Sequence, residues 1–335
     1  MSIRIGVIGT GWIGEQHVQR LTNVVAGTTV VAVSDINLEL AGAVASTVGA
    51  REIDSAEKLI ADPEVEAVVI TSWGPVHAEQ VLACIEAGKP VFCEKPLITD
   101  VADGKRVMEA EQAFGRRLVQ VGFMRRYDAG YRQMKQVIDS GAIGEPLMAH
   151  CVHRNPSVRE AYTTDMAAKD TAVHEVDTLR WLLGEEFSSV QTVLPRKTSK
   201  RFAHLQDPQI FLFETVSGAR VDVEAFVNCQ YGYDIQCEVV GEDGAVRLPD
   251  PAAPAVRRSG QSSVPVLQEF GDRFAEAFDV ELQEWADRIG AGEAPTGPSS
   301  WDGYAATVVT DAAVQSLHSG AVVPIELGER PDFYA

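Results

Sequence analysis

Short apolar segments and amphipathic segments alternate along the first third of the chain, and this alternation constrains the fold more than any other feature. The apolar segments predict buried strands, and the segments between them carry apolar residues at helical spacing. Such an order predicts a parallel sheet that helices cover on both faces. The predicted strands are residues 3–8, 29–34, 66–70, 91–93 and 118–121; the predicted helices are one that ends near residue 25, then 38–48, 75–87 and 101–114.

The first predicted strand leads into the string Gly9-x-Gly11-x-x-Gly14. Alone the string is weak evidence, but here a strand precedes it, a helix and a second strand follow, and Asp35 ends that strand 21 residues after Gly14. Gly9 permits a tight turn, Gly11 lets the backbone approach a pyrophosphate, and Gly14 lets the helix pack on the strand. The helix N-terminus offers N–H groups to the phosphates. We therefore predict a dinucleotide site; the alternative is a glycine-rich turn without a nucleotide.

Asp35 indicates which dinucleotide binds. Its carboxylate would accept hydrogen bonds from the ribose hydroxyls and repel a 2′-phosphate, which favours NAD over NADP. Trp12 is bulky for a residue that faces the cofactor, and three placements are compatible with the sequence: it stacks on the cofactor, swings out or narrows the site.

Two further strand ends carry candidate residues. The apolar run 90–93 stops at Glu94-Lys95-Pro96, so Lys95 lies at the carboxyl end of a strand, where open α/β sheets bind ligands. A lysine in a surface loop is the alternative. Residues 71–75 form another strand-end loop, which we expect to border the nicotinamide. His77 follows that loop, and a structural or capping role is favoured there over a catalytic one.

After residue 121 the pattern changes to one helix, 125–140, followed by segments with period-2 alternation. These segments predict an antiparallel or mixed sheet built mostly from hairpins. The predicted strands are 147–153, 190–194, 209–216, 220–228 and 235–240; residues 250–265 are predicted as a surface loop, and 272–289 and 301–319 as helices.

Asp170 and His174 are the strongest candidates for chemistry in this second part. If 170–183 is a helix closed by Gly184, the two side chains lie one turn apart on one face. A carboxylate there can orient the imidazole and raise its basicity, as a general base requires. The alternative is that Asp170 caps the helix and His174 is a partly buried histidine with satisfied hydrogen bonds.

Polar residues also end the strand 147–153. Period 2 places His153 and Asn155 on one face and His150 on the other, so the two histidines cannot converge on one ion. With no HExxH motif and no cysteine cluster, we predict no metal site. Tyr233 could offer its phenol to a polyol or could simply pack.

Composition bounds the partners. The sequence has 48 acidic and 29 basic side chains, a net charge of −19, which argues against nucleic acid or an anionic membrane as partner. Five cysteines without a CxxC pair predict free thiols in a reducing cytoplasm, and no signal peptide or membrane span is expected.

Three motifs occur in an order that resembles the glucose-fructose oxidoreductase, inositol dehydrogenase and rhizopine-catabolism (Gfo/Idh/MocA) family. They are Gly9-x-Gly11-x-x-Gly14, Glu94-Lys95-Pro96 and Asp170-x-x-x-His174, and the resemblance covers essentially the whole chain. Within that family, the stretches 122–128, 153–156 and 231–237 look most like the members that oxidise myo-inositol. The resemblance implies a doubly wound Rossmann domain, residues 1–121, and an α+β domain, residues 122–335, with an open, largely antiparallel sheet that mediates assembly to a homotetramer.

The resemblance also implies NAD as cofactor and specific site residues, and a Lys95–Pro96 peptide that is often cis in such enzymes. The implied catalytic residues are Lys95, Asp170 and His174. The implied substrate contacts are Lys95, Met124, Arg125, His153, Asn155, Asp170, His174 and Tyr233, and the expected cofactor contacts are Gly9, Gly11, Trp12, Ile13, Gly14, Asp35, Ile36, Ser72, Trp73, His77, Glu94 and Lys95.

The reaction that this resemblance implies is NAD-dependent oxidation of a ring hydroxyl of myo-inositol, or a close cyclitol, to the ketone. His174 would take the hydroxyl proton, Asp170 would hold the imidazole, and Lys95 would stabilise the developing alkoxide. A dehydrogenase for scyllo-inositol, another inositol or an aldose is an alternative within the same class. A dinucleotide-binding sensor without turnover is the alternative from another class, and the intact Lys95, Asp170 and His174 argue against it.

Overall fold

The computed structural model describes residues 2–335 and divides them into two compact units. The first unit comprises residues up to 124 together with 278–307 and 328–335; the second comprises 125–277 and 308–327. The expected division places all residues from 122 to 335 in the second domain. In the structure, the segments 278–307 and 328–335 belong to the first unit. Their return has a physical reason, because Leu282 and Trp285 are buried in the same core cluster as Ile5, Val7 and Phe92.

The first unit contains a six-stranded sheet, in which each strand runs parallel to its neighbours. The strand order is β3-β2-β1-β4-β5-β6, so the direction of strand addition reverses between β1 and β4. Ligands of doubly wound sheets bind outside the carboxyl ends of the strands at such a reversal. The strands are β1 (Ile3–Ile8), β2 (Thr28–Ser34), β3 (Arg51–Glu52), β4 (Ala67–Ile70), β5 (Val91–Glu94) and β6 (Val119–Gly122).

Five helices connect these strands: α1 (Trp12–Asn23), α2 (Leu38–Val48), α3 (Ala56–Ala61), α4 (His77–Glu86) and α5 (Val101–Phe114). The predicted Rossmann-type sheet and the four long helices are confirmed. The sequence did not predict β3 or α3. β3 consists of two exposed residues, and α3 has six residues capped by Ser55, too few for a periodic apolar pattern to be recognised.

The second unit contains a seven-stranded sheet in the order β12-β11-β7-β10-β9-β8-β15. The recorded pairs are antiparallel except that of β7 with β10, so the predicted mixed, largely antiparallel sheet is confirmed. The strands are β7 (Pro146–Arg154), β8 (Phe187–Val193), β9 (Gln209–Thr215), β10 (Arg220–Phe226), β11 (Asp234–Gly241), β12 (Ala245–Arg247) and β15 (Val323–Pro324). The segment 250–265 is exposed as expected, but it includes a short hairpin, β13 (Val256–Arg258) and β14 (Gln261–Ser263).

The remaining helices are α6 (Ala129–Asp139), α7 (Val173–Leu183), α8 (Phe270–Arg273), α9 (Ala275–Gly290) and α10 (Ser300–Ser319). The single helix expected over 125–140 is wrong in its first turn. Residues Met124–Tyr127 form a 3₁₀ turn, and α6 starts after Asp128, whose side chain accepts a hydrogen bond from the Tyr131 N–H. Among residues 2–335, no helix is both long enough and apolar enough to cross a bilayer.

Candidate active site

The glycine-rich loop is closely packed at Gly9 and Gly14 and borders open space at Gly11. Gly9 has a φ of +93°, and a Cβ atom there would lie 2.5 Å from the Ser72 nitrogen. A Cβ at Gly14 would lie 2.0 Å from the Gly9 carbonyl oxygen, so α1 could not approach the loop with a larger residue. A Cβ at Gly11 would meet nothing within 4 Å. Gly11 precedes α1, whose N-terminus has no side-chain cap, so N–H donors border an open space that fits a pyrophosphate.

Asp35 directly follows β2 and is held by backbone donors. Its Oδ2 accepts from the Thr10 N–H at 2.6 Å, and its Oδ1 accepts from the Asn37 N–H at 2.8 Å. These bonds fix the carboxylate beside the glycine-rich loop. It lines a cleft of about 1030 Å³ in the first unit, large enough for a cofactor-sized ligand. Other predicted cofactor residues that line this cleft are Gly9, Gly11, Ile36, Ser72 and Trp73, and the acidic residues Asp54, Glu57 and Glu79 also line it.

His77 links two loops at the carboxyl ends of β4 and β5. Its side chain is buried, with Nδ1 2.8 Å from the Pro96 carbonyl oxygen and Nε2 2.9 Å from the Ser72 carbonyl oxygen. Burial lowers the pKa of the imidazole, against the smaller opposing effect of these carbonyl groups. Both ring nitrogens thus face main-chain oxygens, which favours the structural role for His77.

Lys95 follows β5 in a conformation that its neighbours fix. The buried Glu94 carboxylate lies 2.8 Å from Nε2 of His17, and its other oxygen accepts from the Lys95 backbone N–H at 3.2 Å. The Lys95–Pro96 peptide is cis. The Glu94 side chain therefore points into the first unit toward α1.

Two predicted cofactor residues, Trp12 and Trp73, have large exposed side chains, whereas Ile13 is half-buried.

In the second unit, Asp170 lies in a π-helical turn, Ala167–Ala172, that continues directly into α7. The expected α-helix over 170–183 is therefore wrong at its start, and so is the alternative in which Asp170 caps that helix. A buried hydrogen bond of 2.6 Å joins the hydroxyls of Tyr162 and Thr171 and anchors this turn. Single π turns are frequent at functional sites. His174 is buried in the first turn of α7.

His153 places its ring beside His174 and Tyr233. The ring centroid of His153 lies 6.3 Å from that of His174 and 5.6 Å from that of Tyr233. Burial raises the pKa of Tyr233 to about 12, so its phenol is neutral near pH 7. The predicted alternation along β7 is present, because His153 is buried and His150 is exposed and paired with Asp222.

Asn155 follows β7 and has an unusual side chain. Its backbone is fixed by hydrogen bonds to Phe226 and Cys229. Its Oδ1 atom is buried and has no hydrogen-bond partner among residues 2–335. Buried polar atoms in folded proteins nearly always have partners, so this amide oxygen suits a hydroxyl group of a ligand.

Beneath His153 lies a buried ion pair that the sequence did not indicate. The Arg125 guanidinium donates to Oε1 of Glu175, and both side chains are almost completely buried. Burial tends to raise the pKa of Glu175, but the positive charge of Arg125 and the hydrogen bonds from Arg125 and His153 outweigh it and lower the pKa to about 2. Arg125 was expected to contact the substrate. In the structure its guanidinium contacts Glu175, His153 and the ring of Phe274.

Residue spacing did not mark Glu175, because a helix usually exposes one face to solvent, whereas residues 173–180 are all buried. The available signal was its position next to His174.

Met124, another expected substrate contact, is buried and is the last residue of the first unit's leading segment. Among residues 2–335, no group of three or more His, Cys, Asp or Glu side chains is arranged to hold a metal ion.

Family models match most of the chain. Residues 3–123 match the model of the Gfo/Idh/MocA "Oxidoreductase family, NAD-binding Rossmann fold". Residues 135–327 match the model of the "Oxidoreductase family, C-terminal alpha/beta domain".

Similar proteins cover the whole chain. It is 63% identical over 334 residues to inositol 2-dehydrogenase 3 of Saccharopolyspora erythraea, covering 100% of the chain and 98% of that protein. It is 57% identical over 336 residues to inositol 2-dehydrogenase of Pseudomonas savastanoi pv. phaseolicola, covering 100% of each. A crystal structure of myo-inositol dehydrogenase from Lactobacillus casei, in complex with NAD(H) and myo-inositol, has a TM-score of 0.98 and 39% identity and covers 100% of both chains.

Proposed function

Because this chain belongs to the Gfo/Idh/MocA oxidoreductase family, we propose that it oxidises a ring hydroxyl of myo-inositol, or of a close cyclitol, to the ketone with NAD. The observation that carries the proposal is the full-length structural similarity to a myo-inositol dehydrogenase complex with NAD(H) and myo-inositol. The groups that would hold NAD lie in the first unit, and most of those that would bind the polyol lie in the second.

NAD would be held by the first unit. The uncapped N–H groups at the start of α1 would bind the pyrophosphate in front of Gly11, and the fixed Asp35 carboxylate would accept from the ribose hydroxyls. The remaining expected contacts are Gly9, Trp12, Ile13, Gly14, Ile36, Ser72, Trp73, His77, Glu94 and Lys95, of which His77 and Glu94 would act by holding the loops in place. When bound, NAD supplies the acceptor for the hydride.

Three side chains would act on the substrate hydroxyl. His174 removes its proton as general base, and Asp170, from the π turn that precedes α7, orients the imidazole and stabilises its charged form. Lys95 donates a hydrogen bond to the same oxygen and stabilises the alkoxide as it develops.

Substrate recognition would depend on polar groups of the second unit. Asn155 offers its buried Oδ1 atom, Tyr233 a neutral phenol, and His153 a ring nitrogen. A polyol that lacks a matching hydroxyl leaves such a group unpaired, at a cost of about 1 to 3 kcal/mol. Arg125, which contacts His153, would hold that ring in place, and Met124 would add an apolar contact to the polyol.

The test is NADH absorbance with purified protein, NAD and a set of cyclitols and pyranoses. We expect reduction with myo-inositol, a loss of at least about 100-fold in kcat for Lys95→Ala and His174→Ala, and retained NAD binding in both variants. Matched controls are Lys105→Ala, on the exposed side of α5, and His318→Ala, an exposed histidine in α10. Near wild-type turnover of Lys95→Ala or His174→Ala would contradict the roles, and a better substrate among scyllo-inositol or the aldoses would move the proposal to that substrate.

We also propose that the first unit is the dinucleotide-binding domain and that the protein is a cytoplasmic homotetramer. The outer face of the second unit's sheet supports assembly, because Met148 and Leu212 are exposed there beside charged residues. All five cysteines are free thiols, which supports a reducing compartment. Light scattering after size-exclusion chromatography would measure the mass, and Leu212→Glu should lower it.

A further inference from the structure

The Nδ1 atom of His153 lies between one buried donor and one buried acceptor. It is 3.0 Å from an Nη2 atom of Arg125 and 3.0 Å from Oε2 of Glu175. One ring nitrogen cannot satisfy both. It can accept from Arg125 only when it lacks a proton, and it can donate to Glu175 only when it carries one.

The surrounding contacts favour one of these states. Arg125 already donates to Oε1 of Glu175, and its guanidinium also faces the phenol of Tyr233, so it has other acceptors. Within residues 2–335, Nδ1 of His153 is the hydrogen-bond partner of Oε2 of the ionised Glu175. A buried carboxylate oxygen left without a donor is costly.

We propose that Glu175 is a positioning residue that sets the tautomer of His153, so that Nδ1 carries the proton and Nε2 is the acceptor nitrogen. A neutral imidazole has one proton for two nitrogens, so a donor at Nδ1 requires an acceptor at Nε2. The contacts among Arg125, His153 and Glu175 carry this assignment of the tautomer.

Its consequence for recognition rests on the proposed function. An acceptor nitrogen at His153 would receive a hydrogen bond from a hydroxyl of the polyol, so this side chain would select a donor hydroxyl. A neutral His153 would also place no second positive charge beside His174, 6.3 Å away between ring centroids, when His174 takes up a proton. Glu175 would thus affect substrate binding through His153 without touching the substrate.

The direct test is solid-state NMR of the full-length protein labelled with ¹⁵N-histidine, which separates protonated from unprotonated ring nitrogens. The sequence has 7 histidines, and the His153 signals are assigned as those missing from His153→Asn. We expect a protonated Nδ1 in the wild type. A wild-type His153 with its proton on Nε2, or with protons on both ring nitrogens, would overturn the proposal, whatever any variant does.

Glu175→Gln provides the matched perturbation, because its amide N–H₂ can donate to Nδ1 and should move the ring proton to Nε2. Asp177→Asn is the control: it removes another buried carboxylate of α7, the partner of Arg126, and should leave the His153 signals unchanged. A folded Glu175→Gln protein with the wild-type His153 pattern would contradict the proposal.

Kinetics separate this role from a purely structural one. For Glu175→Gln we expect KM for the polyol to rise roughly 5- to 100-fold, while NAD binding stays within about twofold. An unchanged polyol KM would overturn the role in recognition. If the wild type reduced no NAD with any polyol, the proposed function would fail, but the NMR result would still decide the tautomer.

Discussion

The backbone N–H of Thr10 donates a hydrogen bond of 2.6 Å to Oδ2 of Asp35, so the glycine-rich loop after β1 and the acid after β2 hold each other in place. This bond is charge-assisted and shorter than most N–H···O bonds. The loop and the carboxylate therefore form one rigid edge of the cleft in the first unit.

Replacing Asp35 should weaken NAD binding and relax the choice of cofactor. We expect Asp35→Ser to raise KM for NAD by about 10-fold or more, because a hydrogen bond to a charged group contributes roughly 1.5 to 3 kcal/mol. The ratio of NAD to NADP efficiency should fall as the repulsion of a 2′-phosphate disappears. Steady-state kinetics with both cofactors measure this. Asp54→Asn, in the same cleft, is the control, and an equal effect of the two variants would contradict the role of Asp35.

Gly11 and Gly14 should separate ligand binding from folding. Gly14→Ala should destabilise the protein by about 2 kcal/mol or more, because its Cβ would lie 2.0 Å from the Gly9 carbonyl oxygen. Gly11→Ala should cost at most about 1 kcal/mol, as a loss at a helix cap, yet weaken NAD binding by about 10-fold. Thermal unfolding and calorimetric titration with NAD give the two readouts. Gly11→Ala that binds NAD normally would contradict the pyrophosphate site in front of it.

The His17–Glu94 contact should be worth more than an exposed pair. His17 is fully buried and its ring packs edge-on against Phe92 and Phe278, so His17→Ala leaves both a cavity and a buried carboxylate without its partner. We expect a loss of about 2 to 4 kcal/mol in the free energy of unfolding. His318→Ala, which removes an exposed pair with Asp165, should cost less than about 1 kcal/mol. Urea unfolding compares the two, and equal losses would contradict this account.

Glu175 should contribute to stability in a defined pH range. Its pKa is lowered from 4.5 to about 2 in the folded protein, so its contribution is complete above pH 4.5 and is lost as the pH falls toward 2. The wild type should exceed Glu175→Gln in unfolding free energy by an amount on the order of 3 kcal/mol near pH 6, and the difference should shrink in acid. Denaturant unfolding from pH 6 to pH 3 measures it. A difference that did not change with pH would show that Glu175 is not an ionised partner of Arg125.

The continuous apolar patterns of the sequence were enough to predict the architecture. The bounds predicted for Ile3–Ile8, Leu38–Val48 and Val101–Phe114 agree with the structure, because each is a long periodic segment with clear ends. The short elements β3 and α3 carry no such pattern. The same limit applies to the hairpin Val256–Ser263, whose exposed residues have no apolar face.

Residues of the candidate site could be proposed from the sequence only where a motif marks them. The glycine-rich loop, Asp35, Lys95 and His174 occur in recognisable strings. The contacts of Arg125 and Glu175 with His153 depend instead on three segments meeting in the second unit, which residue spacing does not reveal. The π turn that carries Asp170 depends on the contact of Tyr162 with Thr171, and no local residue preference predicts it.

The most direct test of the proposed reaction uses myo-inositol that carries deuterium on every ring carbon, incubated with the wild-type protein and NAD. Mass spectrometry of the reduced cofactor should find one deuterium per ketone formed, and His174→Ala should give neither product at a comparable rate. Reduced cofactor without deuterium, or no reduction of NAD by the wild type, would contradict hydride transfer from the inositol ring.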